Sequence, residues 1–120
     1  VYDARAEELL ATAPDDAFVV GADRPPFANR EHEDFVSFGL ERLGDVAGRR
    51  VLEVGCGSGA LAVYLALQGA EVVGIDVSQG NCRVANRRAE VSRVAGRATF
   101  RAEPVEHLDD PDGHYDLIVG

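Results

Sequence analysis

The chain has 120 residues, a length that suits about one domain, and its 46% hydrophobic and 28% charged content is that of a globular rather than a disordered protein. Its 12 basic residues are all arginine and face 21 acids, for a net charge of −9. Without lysine the chain can form neither a pyridoxal Schiff base nor a Walker-type phosphate site, and the acidic balance disfavours nucleic acid as a partner.

Asp3–Ala13 has helix-forming composition and stops at Pro14. Asp15–Ala28, with Gly21, Pro25 and Pro26, reads as a loop with a short extended piece at Phe18–Val20. Asn29 is placed to cap a second helix reaching about Gly44, with Phe35, Phe38, Leu40 and Leu43 mostly on one face. From Arg50 short apolar runs alternate with helical stretches. Val51–Val54 predicts a buried strand, followed by a glycine turn and the apolar helix Ala60–Gln68, which Gly69 closes. Glu71–Ile75 predicts a second strand, and Ser78 an N-cap for a helix running to roughly Val94, with Gly96 beyond it. Ala98–Arg101 and His114–Val119 complete a set of four strands. Strand–helix alternation with short links implies parallel pairing through right-handed crossovers, hence an α/β fold with a Rossmann-like doubly wound sheet over 46–120, preceded by a helical segment over 1–45.

Cys56 and Cys82 are too few for a disulfide framework, and His32, His107 and His114 are too scattered for a zinc site. The longest apolar run, Ala60–Leu67, falls far short of the roughly 18 residues that a membrane span requires, and no charged-then-apolar leader is present. The expected setting is therefore reduced and cytoplasmic, without a membrane partner or a metal. The five arginines from Arg83 to Arg97 read as a solvated helix face. Val1 is not a natural start, and a parallel sheet whose fourth strand ends at Gly120 would leave an apolar edge. A longer parent chain with further strands is expected.

The strongest signal is VLEVGCGSG at 51–59. Gly55, Gly57 and Gly59 stand where a strand turns directly into a helix, allowing positive φ and removing the Cβ atoms that would keep a ligand from the backbone. The helix that follows points free N–H groups into the same crevice, at the carboxyl ends of the strands. GCGSGA also fits the G-x-G-x-x-A variant of the dinucleotide fingerprint. Glu53 argues against that ligand, because a carboxylate there opposes a diphosphate but suits an ammonium group.

VLEVGCGSG resembles the first motif of the class I S-adenosylmethionine-dependent methyltransferases, an acid followed by G-x-G-x-G. EVVGIDVS at 71–78 is similar to their second motif, an acid closing the second strand. TFRAEPVEHL at 99–108 and YDLIVG at 115–120 match the third and fourth strands, so the resemblance runs from about Val46 to Gly120. The wording GAEVVGID, EPVEHL and HYDLIVG is most similar to the small-molecule O-methyltransferases of the ubiquinone-biosynthesis type.

The resemblance implies S-adenosyl-L-methionine as cofactor, a small-molecule acceptor, and strand order 3-2-1-4. It places Gly55, Gly57 and Gly59 against the methionine part of the cofactor and gives Asp76 the two ribose hydroxyls, to which a carboxylate presents two oxygens. Many members carry Gly-Asp-Ala at the exit of the third strand. Here Pro104 stands at the Asp position and Val105 next, with its N–H toward adenine N1, and Glu103 or Glu106 is left to supply the acidic contact. Most of the six acids between Glu103 and Asp116 read as a solvated loop. Cys56 as a nucleophile, His107 or His114 as a base and Arg30 as a cofactor contact are weaker candidates. A nicotinamide-dependent oxidoreductase and a non-catalytic scaffold remain as alternatives.

Overall fold

The computed structural model describes residues 4–23 and 43–120. Helix α1 spans Ala4–Thr12. Pro14 then starts a 3-10 turn over Asp15–Phe18, where the sequence suggested an extended piece beginning at Phe18. The turn exists because Phe18 is drawn into a small core with Ala6 and Val84. Val19 is extended where it leaves the turn, and the Val20 N–H donates to Ser92 Oγ at 3.0 Å. The helix expected from Asn29, and Arg30 with it, lie outside the described residues, apart from its last two positions.

Four parallel strands form the sheet: β1 (Arg50–Val54), β2 (Glu71–Asp76), β3 (Ala98–Ala102) and β4 (Leu117–Val119), in spatial order β3-β2-β1-β4. Helix α2 (Ala60–Leu67) joins β1 to β2, and α3 (Gln79–Val91) joins β2 to β3. This is the expected order, and it follows from right-handed crossovers that place both helices on one face. Apolar on nearly every side, α2 is buried between sheet and loops, with Ala62, Val63, Leu65 and Ala66 in a core shared with Val51, Val72, Ala85 and Phe100. Gly74 lets the core close, since a Cβ there would lie 2.6 Å from the Phe100 ring.

Two boundaries differ from the sequence expectation. Helix α3 ends at Val91 rather than Val94, because Arg93 turns into the left-handed region at φ +63°. Strand β4 begins at Leu117 rather than His114. Just before it, Asp116 fastens the chain to β1, its N–H donating to Arg50 O at 2.7 Å and its carboxylate accepting from Arg50 N–H at 2.8 Å. Among the described residues no helix is long and apolar enough to cross a membrane.

Candidate cofactor-binding site

β1 and β2 are in register, with Val54 opposite Ile75. The chain leaves β1 at Gly55, and the N–H groups of Gly55 and Cys56 both donate to Ile75 O, at 2.8 and 3.0 Å. A tight turn over 56–59 follows, closed by Gly59 N–H on Cys56 O at 3.0 Å. Gly55, Gly57 and Gly59 all have positive φ, at +71°, +55° and +82°. A Cβ on Gly55 or Gly57 would project into open space, whereas one on Gly59 would come within 2.5 Å of Ala85 Cβ. The first two glycines thus keep the backbone open to a ligand, and the third seats the turn on α3.

Asp76, at the end of β2, holds the turn from the crevice side. Its Oδ2 accepts from Gly57 N–H and its Oδ1 from Ser78 N–H, each at 2.9 Å. Capping of α3 falls to Ser78, whose hydroxyl accepts from Asn81 N–H at 3.1 Å. Each Asp76 oxygen keeps lone-pair capacity for a further donor, and the side chain is half-buried at the cleft wall.

Glu53 lies in β1, two residues before the turn, and is 5% exposed with Oε2 lacking any partner. Burial pushes its carboxyl up to about 7. Buried acids are rare unless paired, so an orphaned carboxylate behind an open glycine turn suits a cationic or donor-bearing ligand. The cleft beside the turn has a volume of about 240 Å³ and runs from Gly55 and Asp76 across to Glu103, Pro104 and Val105. Glu103 places a second unpartnered buried oxygen, Oε1, on this wall. Val105 opens a 3-10 turn (Val105–His107) and so has no acceptor within that turn for its own N–H. Of the sequence-derived residues, Gly55, Asp76, Glu103 and Val105 line this cleft, Gly57 is joined to it through Asp76, Glu53 sits two residues back in β1, and Gly59 packs behind the turn.

Other candidates are not brought into the cleft. Cys56 is buried, and burial first, then the neighbouring Cys82, Glu53 and Asp76, push its thiol far up, so it is no thiolate nucleophile. His114 lies against a separate cavity at the amino ends of the strands with Arg50 and Glu71. His107 is exposed on the turn that borders the cleft. Two features escaped the sequence reading. Arg88 and Arg97 do not belong to a solvated face, since Arg88 donates to the carbonyls of Ser58 and Phe18 and Arg97 to Ala66 O. A faint signal existed for Arg88, which stands three residues after the buried Ala85 and four after Val84. Asp110 is likewise no idle loop acid. It accepts from Arg101 at 2.7 Å and from the Tyr115 hydroxyl, tying the β3 exit to the approach to β4.

The family model described as a methyltransferase domain matches residues 51–120, from the first residues of β1 through the whole sheet. The chain belongs to the methyltransferase domain family. It is 43% identical over 80 residues to a ubiquinone biosynthesis O-methyltransferase of Acinetobacter baylyi, an alignment covering 66% of this chain and 33% of that protein. The chain thus spans about a third of the length of the curated relatives that it matches. Among solved structures it is similar to the [4+2]-cyclase SpnF (26% identity, TM-score 0.66, covering 79% of this chain and 36% of that one). It is also similar to the YcgJ protein of Bacillus subtilis (26% identity, TM-score 0.66, covering 72% and 37%). The fold is that of the Rossmann-like class I methyltransferases.

Proposed function

We propose that this chain forms the cofactor-binding part of an S-adenosylmethionine-dependent methyltransferase acting on a small-molecule acceptor. The observation that carries the reading is Glu53, a buried carboxylate with an unpartnered oxygen immediately behind the glycine turn. An ammonium group would satisfy it, directly or through water. A dinucleotide would instead set its diphosphate against a like charge. In this reading Gly55 and Gly57 admit the methionine portion to the backbone, Asp76 accepts from the ribose hydroxyls, Val105 N–H faces adenine N1, and Glu103 accepts from the adenine amino group. Residues 46–120 make up the binding unit, in a cytoplasmic protein.

When bound, the cofactor supplies a methyl group already activated by its sulfonium centre. The residues of this chain fix the line of approach and exclude water, so that an acceptor oxygen, nitrogen or carbon meets the methyl in line. A small-molecule acceptor is supported by the ubiquinone-biosynthesis relatives. Isothermal titration of the full-length chain with S-adenosylhomocysteine and, separately, NADH tests the reading. Heat on S-adenosylhomocysteine alone is expected, and binding of NADH alone would overturn it.

A further inference from the structure

We infer that Arg88 is a positioning residue for the cofactor turn and couples that turn to the N-terminal segment. It rests on the cofactor reading above only for the identity of the ligand. Arg88 projects from α3 and is largely withdrawn from solvent, which lowers its pKa by desolvation while leaving the guanidinium charged. Among the described residues it forms no ion pair with a carboxylate. Its Nε donates to Ser58 O at 3.0 Å, inside the glycine turn, and its Nη1 donates to Phe18 O at 3.3 Å, at the end of the first 3-10 turn.

The turn is thereby gripped from two sides. Asp76 holds Gly57 N–H from the crevice, and Arg88 holds Ser58 O from behind. Between the two grips Gly59 rests against Ala85, one helical turn before Arg88, so the turn cannot move closer to α3. Contact blocks motion in one direction and the guanidinium resists motion in the other. Its rigid fork lets one side chain fix two carbonyls from separate segments, which a single ammonium does with less geometric definition.

The neighbouring arginines supply the contrast. Arg83 and Arg87 also bind the N-terminal segment, through ion pairs with Glu7 and Asp15, but both are well exposed and neither touches the turn. Docking of residues 4–20 can therefore be weakened with or without disturbing the cofactor turn. A ligand that stabilises the turn stabilises the N-terminal segment through Arg88, and by linkage the reverse holds.

The test compares Arg88→Met with Arg87→Met in the full chain, by backbone hydrogen exchange and by titration with S-adenosylhomocysteine. Without ligand, Arg88→Met is expected to speed exchange in both 4–20 and 55–59, and Arg87→Met in 4–20 alone. With ligand, the native chain is expected to gain protection over 4–20, and Arg88→Met to lose that gain at saturation and bind at least tenfold more weakly. Arg87→Met should bind within twofold of the native chain. If Arg88→Met does not fold, Arg88→Lys carries the test, with intermediate loss expected. Unchanged exchange over 55–59 in the Arg88 variant would overturn the inference whether or not the ligand binds. Failure of the native chain to bind S-adenosylhomocysteine would overturn the cofactor reading instead, leaving the ligand-free exchange to decide the role of Arg88.

Discussion

Glu53 and Asp76 are both carboxylates beside one turn, yet their surroundings differ. Glu53 holds its proton up to about pH 7 in the native chain but would release it near 4.5 when unfolded. Between those values the native state binds more protons than the unfolded state, so stability falls as pH rises, by up to about 3 kcal/mol across the window. Denaturation midpoints are expected to decline from pH 5 to pH 8 in the native chain and to stay nearly level in Glu53→Gln. An ammonium ligand reverses the preference by favouring the ionised form, so affinity for S-adenosylhomocysteine should climb with pH toward a plateau above about 7. Asp76 already accepts two backbone N–H groups. Asp76→Ala should therefore cost about 1–3 kcal/mol of stability for each donor left unpaired, and weaken S-adenosylhomocysteine at least tenfold. A titration showing affinity within twofold of native would remove the ribose role. Both carboxylates were legible in the sequence because each stands next to a glycine or strand-end signal. Arg88 was not, because its partner Phe18 lies 70 residues away and is a main-chain carbonyl that any residue could offer.

At the scale of elements, helix starts were easier to read than helix ends. Ser78 announced α3 through its side chain. The C-terminus misled because Gly96 drew the expected end downstream, while the left-handed position is taken by Arg93. Both helices close with the same pair of bonds. In α2, Gly69 N–H reaches Ala66 O and Ala70 N–H reaches Leu65 O, and in α3, Arg93 N–H reaches Glu90 O and Val94 N–H reaches Ala89 O. Glycine occupies the left-handed residue in the first case and arginine in the second. Arg93→Gly should therefore stabilise the chain by roughly 0.5–1 kcal/mol, measured as a raised denaturation midpoint. The glycine turn makes a converse case. Gly57→Ala meets open space and should cost only the left-handed strain, about 1–2 kcal/mol, while still obstructing the cofactor. Gly59→Ala adds a collision with Ala85 and should cost roughly 2–5 kcal/mol. Thermal unfolding of the two variants separates them.

For the whole molecule, strand order was readable because alternation and handedness leave few arrangements of four parallel strands. The length of β4 was not, because its start is set by Asp116 bonding Arg50, a contact between residues 66 apart. That same span has a consequence in time. β1 meets β2 after a single short crossover, and β2 meets β3 after another, so these pairings close small loops early. β4 must find β1 across the length of everything between them, the costliest closure in the sheet. It pairs with β1 at three positions, against the five at which β2 does, so it returns fewer contacts for that search. Of the four described strands, β4 is expected to join β1 after β2 and β3 are in place, with the amides of Leu117–Val119 exchanging well before those of Val72–Ile75 in native-state hydrogen exchange. Equal protection of the two strands would contradict this. The crevice, walled by the ends of β1 and β2 and by the exit of β3, would then belong wholly to the early part of the sheet, and β4 would be added beside a crevice already formed.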